Sequence, residues 1–143
     1  DRPLSKRGLR AAPEMGKRLQ DAAINLDLII SSSANRAITT AGFLASAIGY
    51  ADVDIEQDAA LYFKGCDSML AVVNGVDDDI QSLMLVGHNP DMTDFLNLLC
   101  GDRVDNMPSC AIATIQFNQP WSDVSYHSGV LLDYDFPKNT RHL

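Results

Sequence analysis

The chain has 143 residues, of which 46% are hydrophobic and 21% charged, and this balance predicts one globular domain over residues 1–143. Its net charge of −8 disfavours nucleic acid and anionic membranes as partners, because their phosphates repel an acidic protein. No apolar run approaches the roughly 20 residues that span a bilayer, and no secretion signal is visible. Three scattered cysteines without CxxC spacing predict reduced thiols in a cytoplasmic protein and no zinc site.

The first half of the chain predicts two helices around a buried strand. Apolar residues recur at helical spacing from Lys6 to Ala23, and Pro13 allows a break or kink after the first turns. Residues 26–32 form a short apolar run that is typical of a buried parallel strand. A second helix is expected over residues 35–48, where Gly49 is well placed to end it.

The second half predicts a further strand and helix before a group of antiparallel strands. Residues 82–87 are apolar, and residues 92–99 have a helical pattern that Gly101 ends. The strands expected near the carboxyl terminus cover residues 111–117, 124–126 and 130–136. This order of elements predicts an α/β fold in which helices cover a mixed sheet.

Candidate chemistry follows both buried strands, at the sheet edge where ligands bind in such folds. Arg36 begins the second helix, where its guanidinium and the helix N-terminus together suit phosphate oxygens. The alternative interpretation of Arg36 is an ordinary surface arginine at the start of a helix. His88 follows the later strand, where a histidine can donate to a phosphoryl oxygen. Its alternative is a loop histidine that bonds only to backbone groups.

Four segments carry a resemblance that covers nearly the whole chain. They are RPLSKRG at 2–8, LIISSSANRAITTA at 28–41, LMLVGHNPDMTDFLNLL at 83–99 and NMPSCAIATIQF at 106–117. In this order they resemble the SixA-type phosphohistidine phosphatases of the histidine phosphatase superfamily. The resemblance implies a Rossmann-like three-layer domain with a mostly parallel sheet, helices on both faces and antiparallel strands near the carboxyl terminus.

The resemblance also implies an activity and roles for individual residues. Arg36 matches the family's phosphate-binding arginine, and His88 matches the second histidine, which binds and stabilises the phosphoryl group. Asn89 is a further candidate phosphate ligand. The implied reaction removes phosphate from phosphorylated histidine in a protein, through a covalent phosphohistidine intermediate and without a metal or other cofactor. Small phosphoesters remain an alternative substrate, and a catalytically inactive module that binds phosphate or phosphohistidine remains an alternative function.

The proton donor for the leaving group stays open between three carboxylates. Asp91 lies three residues beyond His88, whereas Glu56 and Asp58 precede the sequence Leu-Tyr. A phosphohistidine substrate has a good leaving group and needs no strong acid. The residues alone do not separate these candidates.

The sequence departs from the family at the nucleophile. The family begins with a strand that ends in Arg-His, whose histidine attacks phosphorus, and residues 1–143 have no counterpart of this pair in a strand. The pair Arg141-His142 follows polar residues that do not read as a buried strand. We therefore expect the nucleophile on a segment outside these residues, no turnover by residues 1–143 alone, and exposed edges on the two strands beside the missing one.

Overall fold

Four α-helices and five β-strands form the computed structural model, which describes residues 2–142. The helices are α1 (Lys6–Asp21), α2 (Asn35–Ile48), α3 (Cys66–Asn74) and α4 (Asp91–Cys100). The strands are β1 (Leu28–Ser31), β2 (Glu56–Gln57), β3 (Leu83–Val86), β4 (Ile112–Gln116) and β5 (Val130–Asp135). Four short 3₁₀ turns lie between or after these elements.

The helix ends follow local chemistry that the sequence contains. Helix α1 begins after Ser5, whose hydroxyl accepts a hydrogen bond from the backbone N–H of Gly8 at 3.1 Å. It continues through Pro13, so the break that this proline allowed does not occur. Helices α2 and α4 end, as predicted, at Gly49 and Gly101, whose φ angles of 75° and 70° lie in the left-handed region that favours glycine.

The parallel sheet has the strand order β2-β1-β3, and its register fixes the position of the loops that follow β1 and β3. Ile30 pairs with Leu85, and Ser31 pairs with Val86, so the two strands end at the same level. The backbone N–H of Ser32 then donates to the carbonyl of Val86 at 2.8 Å. The two loops that carry the predicted chemistry therefore begin side by side.

Helices cover both faces of the parallel sheet, because successive side chains of a strand point to opposite faces. Ile29 packs against Ala41 and Ala45 of α2 on one face. Ile30 packs on the other face in a cluster with Met69 of α3 and Phe95 of α4. Burying each isoleucine contributes about 1.5–3 kcal/mol relative to exposure. Helix α1 packs against α2. The predicted α/β class is confirmed.

Two details of the strand prediction differ from the structure. Residues 124–126 form no strand, because Val124 ends a 3₁₀ turn with its side chain in the core and its carbonyl accepts from the Asn74 side chain at 2.9 Å. The antiparallel strands β4 and β5 form a ladder of their own, so the described strands lie in two sheets rather than one mixed sheet. Sequence analysis also missed α3 and the two-residue strand β2.

A cleft of about 1060 Å³ separates the two sheets at the β3 and β4 edges. All four residues of β3 line it, and so do residues 112–115 of β4. Strand β3 pairs with β1 on one side, and no strand among residues 2–142 pairs with it on the other. The cleft therefore lies between two strand edges whose backbone groups are available to a further strand. We call it the β3–β4 cleft.

Candidate active site

His88 lies just beyond β3, at one end of the β3–β4 cleft, and is 8% exposed. Its Nε2 atom is 2.7 Å from the hydroxyl oxygen of Ser32, which also accepts from the N–H of Ala34 at 3.3 Å. Burial lowers the pKa of His88 from its usual 6.5, the nearby charge of Arg36 lowers it further, and Asp91 opposes both. The ring is therefore mainly neutral at pH 7.

Arg36, the second residue of α2, lines the same cleft and is half-buried. Its guanidinium carbon lies 5.9 Å from the centre of the Phe63 ring. Within residues 2–142 it forms no ion pair with a carboxylate. Ala34, which precedes α2, provides no side-chain cap for the helix N-terminus. A half-buried cation beside an uncapped helix N-terminus favours an oxyanion. We use the name anion site for Arg36, His88 and this N-terminus, whose binding of an anion stays a prediction.

Two aromatic rings flank the imidazole, and sequence analysis missed both. The Phe63 ring stacks on the His88 ring with centroids 4.7 Å apart and planes 18° apart. The Tyr62 ring meets the His88 ring edge-on at 5.3 Å. Phe63 has a φ of 54°, a left-handed conformation that costs a bulky residue about 1–2 kcal/mol. The only sequence signal for this pair is an aromatic dipeptide in a stretch without helical or strand periodicity.

Residues 58–65, which we call the aromatic loop, are held at both ends and in the middle. The Asp58 N–H donates to the Ser31 carbonyl at 2.9 Å. Leu61 is 1% exposed in the core. At the far end, the Gly65 N–H donates to the Asp91 carboxylate at 3.0 Å. These contacts lie before and after Tyr62 and Phe63 in the chain and hold both rings against His88.

The three predicted acid candidates have different surroundings from one another. The Asp58 carboxylate accepts from the Ala60 N–H at 2.9 Å, and Asp91 accepts from Gly65, so both bind backbone groups of the aromatic loop. Glu56 is exposed, and with Asp58 it lines a separate cavity of about 650 Å³. None of the three lines the β3–β4 cleft. Their role as proton donors stays a prediction.

Asn89 lines the β3–β4 cleft, but its side chain already has partners. Its amide nitrogen donates to the Met107 carbonyl at 2.7 Å. Its amide oxygen accepts from the N–H and the hydroxyl of Thr93, at 3.2 and 2.8 Å. Asn89 therefore joins the loop to α4 and to the segment before β4, and its role as a phosphate ligand stays a prediction. Arg7 of α1, which sequence analysis did not single out, is a second cation in the cleft lining.

Known proteins resemble the chain in sequence and in fold. The model of the histidine phosphatase superfamily (branch 1) matches residues 1–62. A solved structure from Nakamurella multipartitia, assigned as a SixA phosphohistidine phosphatase, is 25% identical, with a TM-score of 0.84 over 97% of this chain and 87% of that one. The chain therefore resembles the histidine phosphatase superfamily in sequence over its first 62 residues, and a SixA structure in fold over nearly its whole length.

Two further proteins also resemble the chain. An uncharacterised protein of Mycobacterium tuberculosis is 25% identical over 150 residues, which cover 96% of this chain and 90% of that protein. A SixA protein histidine phosphatase solved in complex with tungstate is 19% identical, with a TM-score of 0.75 over 95% of this chain and 85% of that one. At that identity the second likeness shows a shared fold.

The chain has another cluster of arginine and histidine near its carboxyl terminus. We call it the C-terminal ion cluster. Arg141 and Asp133 form paired hydrogen bonds, one of them 2.9 Å long, and Arg141 also lies 3.3 Å from Asp135. The His142 Nε2 atom is 2.8 Å from the Asp135 carboxylate, and Arg18 of α1 lies 3.4 Å from the same carboxylate. Carboxylates therefore already contact both members of the pair Arg141-His142.

Residues 2–142 contain neither a metal-binding cluster nor a membrane-spanning helix. No cluster of three or more histidine, cysteine, aspartate or glutamate side chains there is arranged to hold a metal ion. None of the helices combines the length and the apolar character that crossing a membrane requires. The three cysteines are free, and burial raises the pKa of each thiol.

Proposed function

We propose that this domain removes phosphate from phosphohistidine in proteins, and that Arg36 and His88 hold the transferred phosphoryl group. The observation that carries the proposal is the anion site itself. Arg36 is half-buried without a carboxylate partner among the described residues, next to an uncapped helix N-terminus and a buried histidine. Tungstate is a tetrahedral oxyanion like phosphate, and the structurally similar SixA protein was solved with it bound.

Each group at the site has a distinct task in this proposal. Arg36 donates two parallel N–H groups to phosphoryl oxygens, which orients the phosphorus and offsets its charge. His88 donates to the phosphoryl group as negative charge develops during transfer. A bound dianion opposes the effect of Arg36 on His88, so binding raises the pKa of His88 and favours the protonated ring with two N–H donors.

The proposed nucleophile is a histidine on an extended strand that occupies the β3–β4 cleft. That cleft has the edges of β3 and β4 on its two sides and His88 and Arg36 in its lining. A strand parallel to β3 therefore delivers the residues at its carboxyl end to the anion site. The family's strand that ends in Arg-His has this form, and the pair Arg141-His142 is not available because carboxylates bind it.

The proposed reaction has two balanced steps. The nucleophilic histidine forms a new P–N bond as the P–N bond of the substrate breaks. The attacking imidazole loses one proton and the released imidazole gains one, with water carrying the proton between them. Water then attacks the phosphohistidine of the enzyme, which releases phosphate and the free histidine. An imidazole leaves more easily than an alkoxide, so the first step needs no strong acid. This fits Asp58 and Asp91, whose carboxylates already bind backbone N–H groups.

The test compares residues 1–143 alone with the same residues joined to an apolar strand that ends in Arg-His. Both are mixed with a radiolabelled phosphohistidine protein and quenched in alkali, which preserves phosphohistidine, before peptide mapping. We expect turnover and label only with the added strand, and label only on its histidine. In that protein, His88→Ala lowers turnover about a hundredfold or more, the size expected for losing one charge-stabilising donor.

Two results contradict the proposal in different ways. Label on the peptide that contains His88 overturns its assignment as the stabilising histidine. Hydrolysis of p-nitrophenyl phosphate by residues 1–143 alone at ordinary enzymatic rates overturns the assignment of the nucleophile. If the joined protein binds phosphate but never turns over a phosphohistidine protein or a small phosphoester, the domain is a binding module instead.

A further inference from the structure

The aromatic loop exposes two large rings beside a buried histidine. Tyr62 is 43% exposed and Phe63 is 46% exposed, whereas His88 between them is 8% exposed. Within residues 2–142 no other aromatic side chain reaches this degree of exposure. Exposed aromatic rings at a ligand site are more informative than a single exposed leucine elsewhere, because each keeps a large apolar face in contact with water.

The loop holds these rings in place rather than leaving them mobile. Its two ends are fixed by hydrogen bonds, one from the Asp58 N–H to the Ser31 carbonyl and one from the Gly65 N–H to the Asp91 carboxylate, and Leu61 anchors its middle in the core. Phe63 keeps a left-handed backbone (φ 54°) that few bulky residues adopt. Such strain persists only where surrounding contacts fix the residue, and it concentrates at functional sites. The ring positions therefore result from several independent contacts.

The position of the rings relative to the anion site indicates what they contact. Arg36 lies 5.9 Å from the Phe63 ring, and His88 stacks on that ring. A phosphoryl group held by Arg36 and His88 therefore lies next to Phe63 and Tyr62. The group attached to that phosphoryl then extends along the exposed part of the two rings. Aromatic rings prefer partners that are flat and polarisable, at centroid separations of about 4.5–7 Å.

We propose that Tyr62 and Phe63 form a stacking surface for the imidazole ring of phosphohistidine. This inference rests on the function proposed above and adds a determinant of substrate choice that lies outside the phosphoryl-binding residues. A substrate whose phosphoryl group is attached to a flat ring gains this contact, whereas an aliphatic phosphoester does not. Aromatic contacts of this kind change affinity about threefold to tenfold.

The experiment measures binding to residues 1–143 by calorimetry, with three probes that differ only in the group on phosphorus. A triazole-phosphonate imitates phosphohistidine, phenylphosphonate imitates phosphotyrosine, and methylphosphonate has no ring. Sulfate reports the anion site alone. The chain is compared with the double variant Tyr62→Leu/Phe63→Leu, which keeps apolar bulk but removes both rings. Leu132→Ala is the matched control, since Leu132 is also exposed (58%) but lies on β5 outside the cleft lining.

The decisive quantity is the ratio of the triazole-phosphonate and methylphosphonate affinities. We expect a ratio of about three to ten in the unchanged chain and in Leu132→Ala, and a ratio near one in the double variant. Phenylphosphonate should bind no more tightly than the triazole. Equal binding of triazole and methyl probes to the unchanged chain overturns the stacking surface, and so does a ratio that survives in the double variant. A clear preference for phenyl overturns the assignment to imidazole.

The same measurements separate this inference from the function on which it rests. If sulfate binds and the ratio is one, the anion site stands and the stacking surface fails. If the double variant weakens sulfate while the ratio stays high, the rings only position His88, and the inference is wrong. If none of the probes binds, sulfate included, both the proposed function and the stacking surface fail.

Discussion

Arg36 and His88 at the sheet edge are the same residue types as Arg141 and His142 near the carboxyl terminus, with different partners. Arg141 and His142 both contact the carboxylate of Asp135. Arg36 and His88 contact an aromatic ring and a serine hydroxyl, and neither has a carboxylate partner among the described residues. Arginine and histidine thus point to an anion site only where the chain itself leaves them without an anion.

Arg18 makes the same contrast with Arg36 more strongly. Its guanidinium donates to the carbonyls of Phe136 and Pro137, both at 2.8 Å, and forms ion pairs with Glu14 and Asp135. This saturated arginine joins α1 to the segment after β5. We therefore expect the C-terminal ion cluster to act on stability, and Arg36 in the anion site to keep its charge for a ligand. The two regions should therefore respond differently to substitution. Changes in the anion site should alter anion binding, and changes in the C-terminal ion cluster should alter the free energy of unfolding.

Replacing Arg36 should give the largest change in anion binding. Arg36→Ala removes a bidentate charged contact worth about 2–3 kcal/mol, so tungstate affinity should fall by about 30-fold to 150-fold in calorimetric titrations. Arg36→Lys keeps the charge without the planar fork and should show an intermediate loss. Arg141→Ala is the matched control and should leave tungstate affinity unchanged. Equal losses in Arg36→Ala and Arg141→Ala would remove the distinction between the two regions.

Replacing Arg18 should have its effect on folding instead. Arg18→Ala leaves Asp135, whose side chain is 8% exposed, with fewer partners and removes the donors to two carbonyls. Urea unfolding should show a loss of about 2–3 kcal/mol in the free energy of unfolding, with tungstate affinity unchanged. Arg36→Ala should change that free energy by no more than about 0.5 kcal/mol. A stable Arg18→Ala variant that binds tungstate poorly would reverse our assignment of the two arginines.

Sulfate binding should depend on pH through His88. Without an anion, burial and then Arg36 lower its pKa below 6.5, and a bound anion raises it again. Binding therefore takes up a proton. As pH falls through the range between the His88 pKa values of the bound and the free protein, sulfate affinity should rise by up to about tenfold per pH unit. Sulfate itself stays a dianion throughout. His88→Gln should abolish the dependence, and an unchanged slope in that variant would assign the proton to another group.

The two regions should also lose stability in different pH windows. The unfolded His88 takes up its proton near 6.5, above the pKa of the folded state, so its contribution to stability falls as pH drops below 6.5. The hydrogen bond from Arg141 lowers the pKa of Asp133. Burial acts to raise the pKa of Asp135, but hydrogen bonds from Asn139 and His142 lower that pKa overall. The contribution of these carboxylates is present above about pH 4 and is lost as pH falls further.

Unfolding curves recorded from pH 7 to 3 test this separation. Sulfate should offset the loss in the first window, because it binds the protonated form of His88, and have less effect in the second. His88→Gln should remove the first window, and Asp133→Asn should reduce the second. If Asp133→Asn changed the window near pH 6.5 instead, the attribution to His88 would be wrong.

The sequence predicted the positions of Arg36 and His88 better than their surroundings. Arg36 and His88 each follow an apolar run at a sheet edge, and strand register alone brings such positions together. Tyr62 and Phe63 reach His88 through a loop without periodicity, and their placement depends on contacts with Ser31 that are distant in sequence. No local pattern contains such long-range contacts.

Other features of the structure could not be inferred from the sequence for similar physical reasons. Asp58 and Asp91 were acid candidates by proximity in sequence, and a sequence does not show which backbone N–H a carboxylate accepts from. Residues 124–126 have the composition of a strand, but the Asn74 side chain takes the carbonyl of Val124 that a ladder would use. Two-residue strands such as β2 are too short for an alternating pattern to identify.

The central claim is that the anion site, and not the C-terminal ion cluster, accepts a phosphoryl group. A crystal structure of residues 1–143 grown with tungstate tests it most directly, because the heavy anion is located without reference to any model of the site. We predict tungstate at the end of the β3–β4 cleft, with its oxygens about 3 Å from the Arg36 guanidinium and a ring nitrogen of His88. Tungstate bound at Arg141, or bound in the cleft without contact to Arg36 and His88, would contradict the account.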